Sequence, residues 1–350
     1  MKFKTLLLLL FFTGAFAQNK AEAEKLVDEG VELHDKGDYT GAINKYDDAL
    51  KLDKDNLLAL TEKSLTLNAS KNYEQGIAAC KQAIAKHKNE GLKNVYVNYG
   101  NALDHLKKAD EAVKIYDEGI ALYPDYYQLY YNKGICLSGL GKDVAATDSF
   151  QKSFLINPNH GSSLNAIGVL ETGNNRIPAI LAFSRFLIVE PQTKRSQVVL
   201  EKLQKLMMQG VTQQNEKSIN VSINSSMLSD AEDKSQTKEN NFSSTDFILS
   251  ISASLDFSEE NKSKTDVEKF IRKFEVVCSS LVETKKENFG FYWEKFVPYF
   301  REIERNKFIE TFAYIAFVNT NSDDVLKWHE KNKAEVDKFY NWNSTYKWNK

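Results

Sequence analysis

Residues 93–126 read KNVYVNYGNALDHLKKADEAVKIYDEGIALYPDY, and residues 127–160 read YQLYYNKGICLSGLGKDVAATDSFQKSFLINPNH. Laid over one another, they match Gly100 with Gly134, Ala112 with Ala146, Tyr116 with Phe150 and Pro124 with Pro158, each 34 residues apart. In each stretch apolar residues recur at helical spacing twice, with a break at Lys108-Ala109 or Gly141-Lys142. The glycine lets the paired helices approach closely. The aromatic fills the space toward the next unit, and the proline ends the second helix. One such hairpin cannot bury its apolar faces alone, so the period predicts stacked units sharing a continuous core.

The period extends in both directions. Residues 161–193 carry Leu164, Ile167-Gly168, Ala179 four before Phe183, and Pro191, with one residue fewer in the turn at Gly173-Asn174. Residues 23–56 carry Leu26, Gly30, Leu33, Ala42 and Tyr46, with Lys54 at the proline position. Residues 57–90 depart most: Tyr39 and Ala49 recur as Tyr73 and Ala83, but Ser64 replaces the glycine, Gly76 the alanine and Cys80 the aromatic. These residues resemble the tetratricopeptide repeat, with its W-x2-L-G-x2-Y, A-x3-F and P positions. The resemblance covers 23–193 and implies an all-α, right-handed solenoid of five helix–turn–helix repeats in a domain spanning 18–193. Residues 194–217 continue helically, with Val198, Val199, Leu203, Leu206 and Met207 on one stripe, and are expected to be a capping helix.

Residues 1–17 have a different character. Lys2 and Lys4 precede an apolar run, Thr5–Phe12, which ends in Gly14-Ala15-Phe16-Ala17. This is the pattern of a cleaved signal peptide. It resembles Gram-negative export signals, implying a periplasmic or secreted protein, and Gln18 offers no lipidation cysteine. Loss of Lys2 and Lys4 would take the net charge from −2 to −4. No later run reaches the length of a membrane span, about 18 apolar residues. With 46 basic against 48 acidic residues there is no electrostatic footprint for nucleic acid. Three cysteines scattered over 350 residues read as small buried hydrophobes, not a disulfide framework.

Beyond the array, residues 218–245 read as a linker. Asp230–Asn241 has no large apolar residue, and a short strand is possible at Ile219, Val221 and Ile223. Residues 246–350 read as a small aromatic-rich helical domain. Phe247–Phe257 alternates like a strand, but its Ser-Ser-Thr-Asp start and helical surroundings favour a helix. Thr265-Asp266-Val267-Glu268 is a capping box opening a helix with Phe270, Phe274 and Leu281 on one face. Further helices are expected around Phe296 (kinked or begun near Pro298), around Phe312, and from Ser322 through Phe339. The tail Tyr340–Trp348 is expected to be exposed or docked elsewhere.

No catalytic motif, dinucleotide loop, phosphate loop or metal-ligand spacing occurs, so the chain is expected to be non-catalytic, with no cofactor or metal. The resemblance implies a scaffold or adaptor of the cell envelope that binds a protein or peptide partner in the concave groove. It places contacts at the second, fifth, sixth, ninth and twelfth repeat positions. In repeat three these are Asn94, Val97, Asn98, Asn101 and Asp104. Repeat four offers Gln128, Tyr131, Asn132 and Ile135, and repeat five Asn165 and Val169. Asparagine amides can both donate to and accept from a peptide backbone. The basic residues of a carboxylate clamp are missing from these positions. Two alternatives remain: a self-closed protein whose C-terminal domain fills the groove, and a hydrolase or carbohydrate site in 246–350.

Overall fold

The computed structural model describes residues 2–88, 91–173, 175–215, 218–222, 239–285 and 288–348, with side chains from Gln18 onward. The leader's side chains, Asn174 of the last repeat turn, and residues 223–238 of the expected linker lie outside the described residues. The chain divides into two compact units, Met1–Ile156 and Asn157–Lys350. That division falls near the junction of the fourth and fifth repeats.

The first unit is four helix pairs: α1 (Lys2–Asp35) with α2 (Tyr39–Leu52), α3 (Leu57–Ala69) with α4 (Tyr73–His87), α5 (Lys93–His105) with α6 (Ala109–Leu122), and α7 (Tyr127–Gly139) with α8 (Asp143–Ile156). Asp38 and Asn56 cap α2 and α3 by accepting from the Gly41 and Ala59 N–H groups, each at 2.9 Å. Within each pair the turn needs one left-handed residue: Gly37 (φ 81°), Lys71 (65°), Lys107 (63°) or Gly141 (69°). The following N–H then reaches back to the first helix, as from Lys108 to the Leu103 carbonyl at 2.9 Å.

Close helix crossing depends on the repeated glycine. A Cβ on Gly30 would stand 2.4 Å from the Tyr46 ring, on Gly100 2.3 Å from Tyr116, and on Gly134 2.6 Å from Phe150. Repeat two solves the crossing with polar atoms. Cys80 is smaller than a ring, and Ser64 occupies the space. The Ser64 hydroxyl donates to the Thr61 carbonyl at 2.7 Å and accepts from Asn98 Nδ2 at 2.8 Å.

The second unit opens with the fifth repeat, α9 (Gly161–Glu171) and α10 (Arg176–Val189), with Gly168 set against Phe183 as in the other repeats. Then α11 (Lys194–Met207) turns Val199, Leu203 and Met207 inward. The expected capping helix stops ten residues short of 217, because Gly210 (φ 81°) turns the chain into a hairpin. Its strands, β1 (Val211–Asn215) and β2 (Ser218–Val221), pair antiparallel with Val211 opposite Val221. Next come α12 (Ser243–Ser254) and a 3₁₀ turn, Leu255–Phe257, so the ambiguous segment is helical. The Thr265–Glu268 capping box opens α13 (Asp266–Glu283). A π turn, Tyr292–Phe296, leads into α14 (Val297–Arg305), whose first turn accommodates Pro298 because no N–H is needed there. The unit ends with α15 (Ile309–Phe317), α16 (Asp323–Lys331) and α17 (Lys333–Thr345). The expected last helix is thus two, broken at Asn332.

Helix α10 organises this unit. Every residue from Arg176 to Ile188 is buried, because α9, α11, α12, α15 and the π turn all pack on it. Its two charges are therefore inside. Arg176 pairs with Asp246 and donates to the Asp246 carbonyl and Ser250 Oγ, both at 2.8 Å, and to the Gln209 carbonyl at 2.7 Å. Among the described residues, Arg185 has no carboxylate partner. It donates to Tyr299 Oη (2.8 Å), Asn343 Oδ1 (2.5 Å) and Asn159 Oδ1 (2.6 Å), and its guanidinium faces the Tyr299 and Trp348 rings at 4.8 and 5.2 Å. Burial pulls its pKa below the ordinary value, with Tyr299 opposing. The aromatic tail thus docks inside its own unit. Trp342 and Trp348 stack on Tyr299 at 5.3 and 4.8 Å.

Cys80, Cys136 and Cys278 are free and buried. Burial pushes the first two thiols up to about 12 and the third well above its ordinary value. Since the thiolate is the reactive form, a chromogenic disulfide reagent should leave the folded chain unmodified at mildly alkaline pH. All three thiols should titrate once urea is added. Rapid reaction of the folded chain would contradict this burial.

Candidate partner-binding site

The first helices α1, α3, α5 and α7 lie side by side in the first unit, each backed by its own second helix. On each, the second, sixth and ninth repeat positions share one side at i, i+4, i+7 spacing, although on α5 the middle one, Asn98, is buried. On α3 that stripe is Leu58, Glu62 and Leu65. Leu58 is 49% exposed and Leu65 41%, while Leu60, Ser64 and Leu67 on the other side are buried. On α7 Ile135 is 42% exposed, with half-buried Gln128, Tyr131 and Asn132 beside it.

The expected contact residues divide by what already engages them. Asn98 is buried, and its Nδ2 donates to Ser64 Oγ and to the Thr61 carbonyl at 3.2 Å, while its own carbonyl accepts from Asn68 at 2.8 Å. It ties α5 to α3, so its amide is committed within the fold. Asn101 Oδ1 accepts from the Tyr116 hydroxyl at 2.7 Å, and Asn94 Oδ1 accepts from Tyr126. Asn132 donates to the Gln128 carbonyl at 2.8 Å. The Tyr131 ring leans on Phe150 at 5.7 Å. Val97 is half-buried against the core of repeats two and three, and Asp104 is half-buried on α5. The structure brings these nine residues of repeats three and four together in the first unit. Asn165 and Val169 belong to α9 of the second unit, half-buried and 45% exposed respectively.

Sequence reasoning missed Leu58, Glu62 and Leu65. They occupy the second, sixth and ninth positions of repeat two, so the rule applied to repeats three to five would have found them. Burial raises the Glu62 carboxyl above its ordinary value, with His34 opposing and Asp35 adding to the rise. Among the described residues, no group of three His, Cys, Asp or Glu side chains could hold a metal ion. Among them also, no helix is long and apolar enough to cross a membrane.

Residues 94–126 match the sequence model of the tetratricopeptide repeat. A small glutamine-rich tetratricopeptide repeat-containing protein of Dictyostelium discoideum is 31% identical over 115 residues, which is 33% of this chain. The chain spans only about a third of that relative's length (34%). Among solved structures, PilW, a type IV pilus biogenesis factor, shares 20% identity at TM-score 0.46 over 53% of this chain and 84% of its own. YrrB, described as having an unusual peptide-binding site, shares 19% at TM-score 0.39 over 54% and 96%. Repeat three matches the family, and repeats one, four and five share its glycine-to-ring crossing: the chain contains tetratricopeptide repeats.

Proposed function

We propose that the chain is a non-catalytic scaffold of the cell envelope that holds a peptide segment or subunit along the outward stripe of its first helices. The carrying observation is that Leu58, Leu65 and Ile135 stay exposed on a layer whose other large apolar side chains are buried or half-buried. Such a patch marks an interaction surface more readily than a solvated face. The envelope role rests on the leader pattern of residues 1–17 alone. Replacing Leu65 and Ile135 together by Ser should weaken capture of a natural partner from an envelope fraction by about tenfold, or 1.4 kcal/mol. Helicity should be unchanged, because neither side chain is in the core. Undiminished co-purification would count against this face. The tail of the second unit already has a seat on Arg185, which favours an open first-helix face over a self-closed one.

A further inference from the structure

The charges on the first helices are sorted. Each lysine of the repeat portions of α1, α3, α5 and α7 is engaged away from the outward stripe. Lys63 pairs with Asp47 on α2, and Lys133 with Asp117 on α6 at 2.6 Å. Lys25 lies 3.9 Å from Glu29, and Lys93 sits 5.0 Å over the Tyr126 ring. The stripe itself carries Glu24 and Asp28 on α1, Glu62 on α3 and Asp104 on α5. None of these four forms an ion pair with Lys or Arg among the described residues. Two of these lysines, Lys63 and Lys133, are drawn toward acids that the second helices supply, while the acids of the stripe keep no such partner, although the whole chain is nearly neutral at −2. The apolar side chains Leu58 and Leu65 flank Glu62 at four and three residues, one helical turn to either side.

We infer that the partner is a cationic segment in which Lys or Arg residues alternate with apolar ones, the apolar side chains seated at Leu58, Leu65 and Ile135 and the cations at Asp28 and Glu62. This rests on the scaffold reading above and names its ligand class. Charge complementarity of this kind selects partners and accelerates encounter more than it adds affinity, and salt screens it. An acidic segment, including a chain-terminal carboxylate, would meet like charge at Asp28 and Glu62 on this face.

The test uses the full chain and three labelled short peptides that alternate Leu with Lys, Leu with Glu, or Leu with Ser, read by fluorescence anisotropy. The Leu–Lys peptide should bind about tenfold more tightly than the other two and weaken about tenfold between roughly 0.05 and 0.3 M salt. The double variant Asp28→Asn, Glu62→Gln should lose that preference. The control Glu74→Gln, Glu111→Gln, on exposed second-helix positions, should keep it. Equal binding of all three peptides, abolished by Leu65→Ser with Ile135→Ser, would overturn the cationic class and leave the scaffold face standing. Binding of none of them would overturn both. Lysine-peptide binding that survives Asp28→Asn, Glu62→Gln would overturn the site, and a melting curve of that variant matching the parent removes misfolding as a cause.

Discussion

Gly134→Ala and Gly139→Ala are expected to change stability in opposite directions, although both add one methyl group to α7. At Gly134 the new Cβ would lie 2.6 to 2.9 Å from three carbons of the Phe150 ring. That ring is 1% exposed and has Tyr131 on it at 5.7 Å, so it has nowhere to retreat. Overpacking of this kind costs about 1–3 kcal/mol, more than the helix preference of alanine returns. At Gly139 a Cβ would meet nothing within 4 Å, and the backbone is not left-handed. There alanine should stabilise by about 0.4–1 kcal/mol, by restricting the unfolded chain. Urea unfolding of the two variants reads both signs. Phe150→Leu in the Gly134→Ala background should recover part of the loss, since the shorter side chain vacates the clash. Equal effects at the two sites would show that the glycine-to-ring contact does not set the helix crossing.

Much of the first unit was legible because repetition multiplies a weak signal. One glycine in a helix is a poor clue, but Gly100, Gly134 and Gly168, each followed at 16, 16 and 15 residues by a ring, fix a geometry. The helix pairs, their turns and the inward faces follow from that. Three things were harder to read. Nothing in the period says that repeat two would use Ser64 and Asn98 where the others use an aromatic, because that exchange is made between repeats. The hairpin after α11 turns on Gly210, whose left-handed φ is invisible beside an apolar stripe that points to more helix. The third is the division into units at Ile156–Asn157, since the fifth repeat keeps nearly the spacing of its neighbours.

A signal for that boundary was present. Arg176–Val189 reads RIPAILAFSRFLIV, apolar around the whole helix, whereas α6 keeps Asp110, Glu111, Lys114, Asp117 and Glu118 outward. A helix without a polar face must be covered on all sides. That requires more chain than a single capping helix, and the aromatic C-terminal segment helps to supply it. The partner-binding residues were less legible than the fold. Position rules carried from a family say which side chains face outward, but not whether they are already engaged. Asn98 and Asn101 share a residue type and a stripe. Yet one is buried in a tie to α3 and the other accepts from Tyr116, and only tertiary packing decides it.

Asn343→Ala should be among the most damaging single changes in the second unit, although Asn343 lies only seven residues before Lys350. Its Oδ1 accepts from Arg185 Nη1 at 2.5 Å and from the Tyr299 hydroxyl at 2.7 Å. Both donors are buried, Arg185 to 1% exposure, and among the described residues no carboxylate offsets the guanidinium charge. A hydrogen bond to a buried charge contributes about 1.5–3 kcal/mol, and orphaning the Tyr299 hydroxyl adds to the loss. A total of about 2–4 kcal/mol is therefore expected. Trp348→Ala should cost stability too, since it removes a cation–π face on Arg185 and the stacking on Tyr299 while the Asn343 hydrogen bonds stay. The decisive measurement is a double-mutant cycle with Arg185→Met. Methionine keeps much of the volume and removes the charge, and Tyr299 can still donate to Asn343. In that background Asn343→Ala should cost about 1.5–3 kcal/mol less than in the parent. Additive losses would mean that the tail is held by its aromatic stacking alone. In that case Arg185 would be a buried cation stabilised by Asn159 and Tyr299, with no share in fastening the end of the chain.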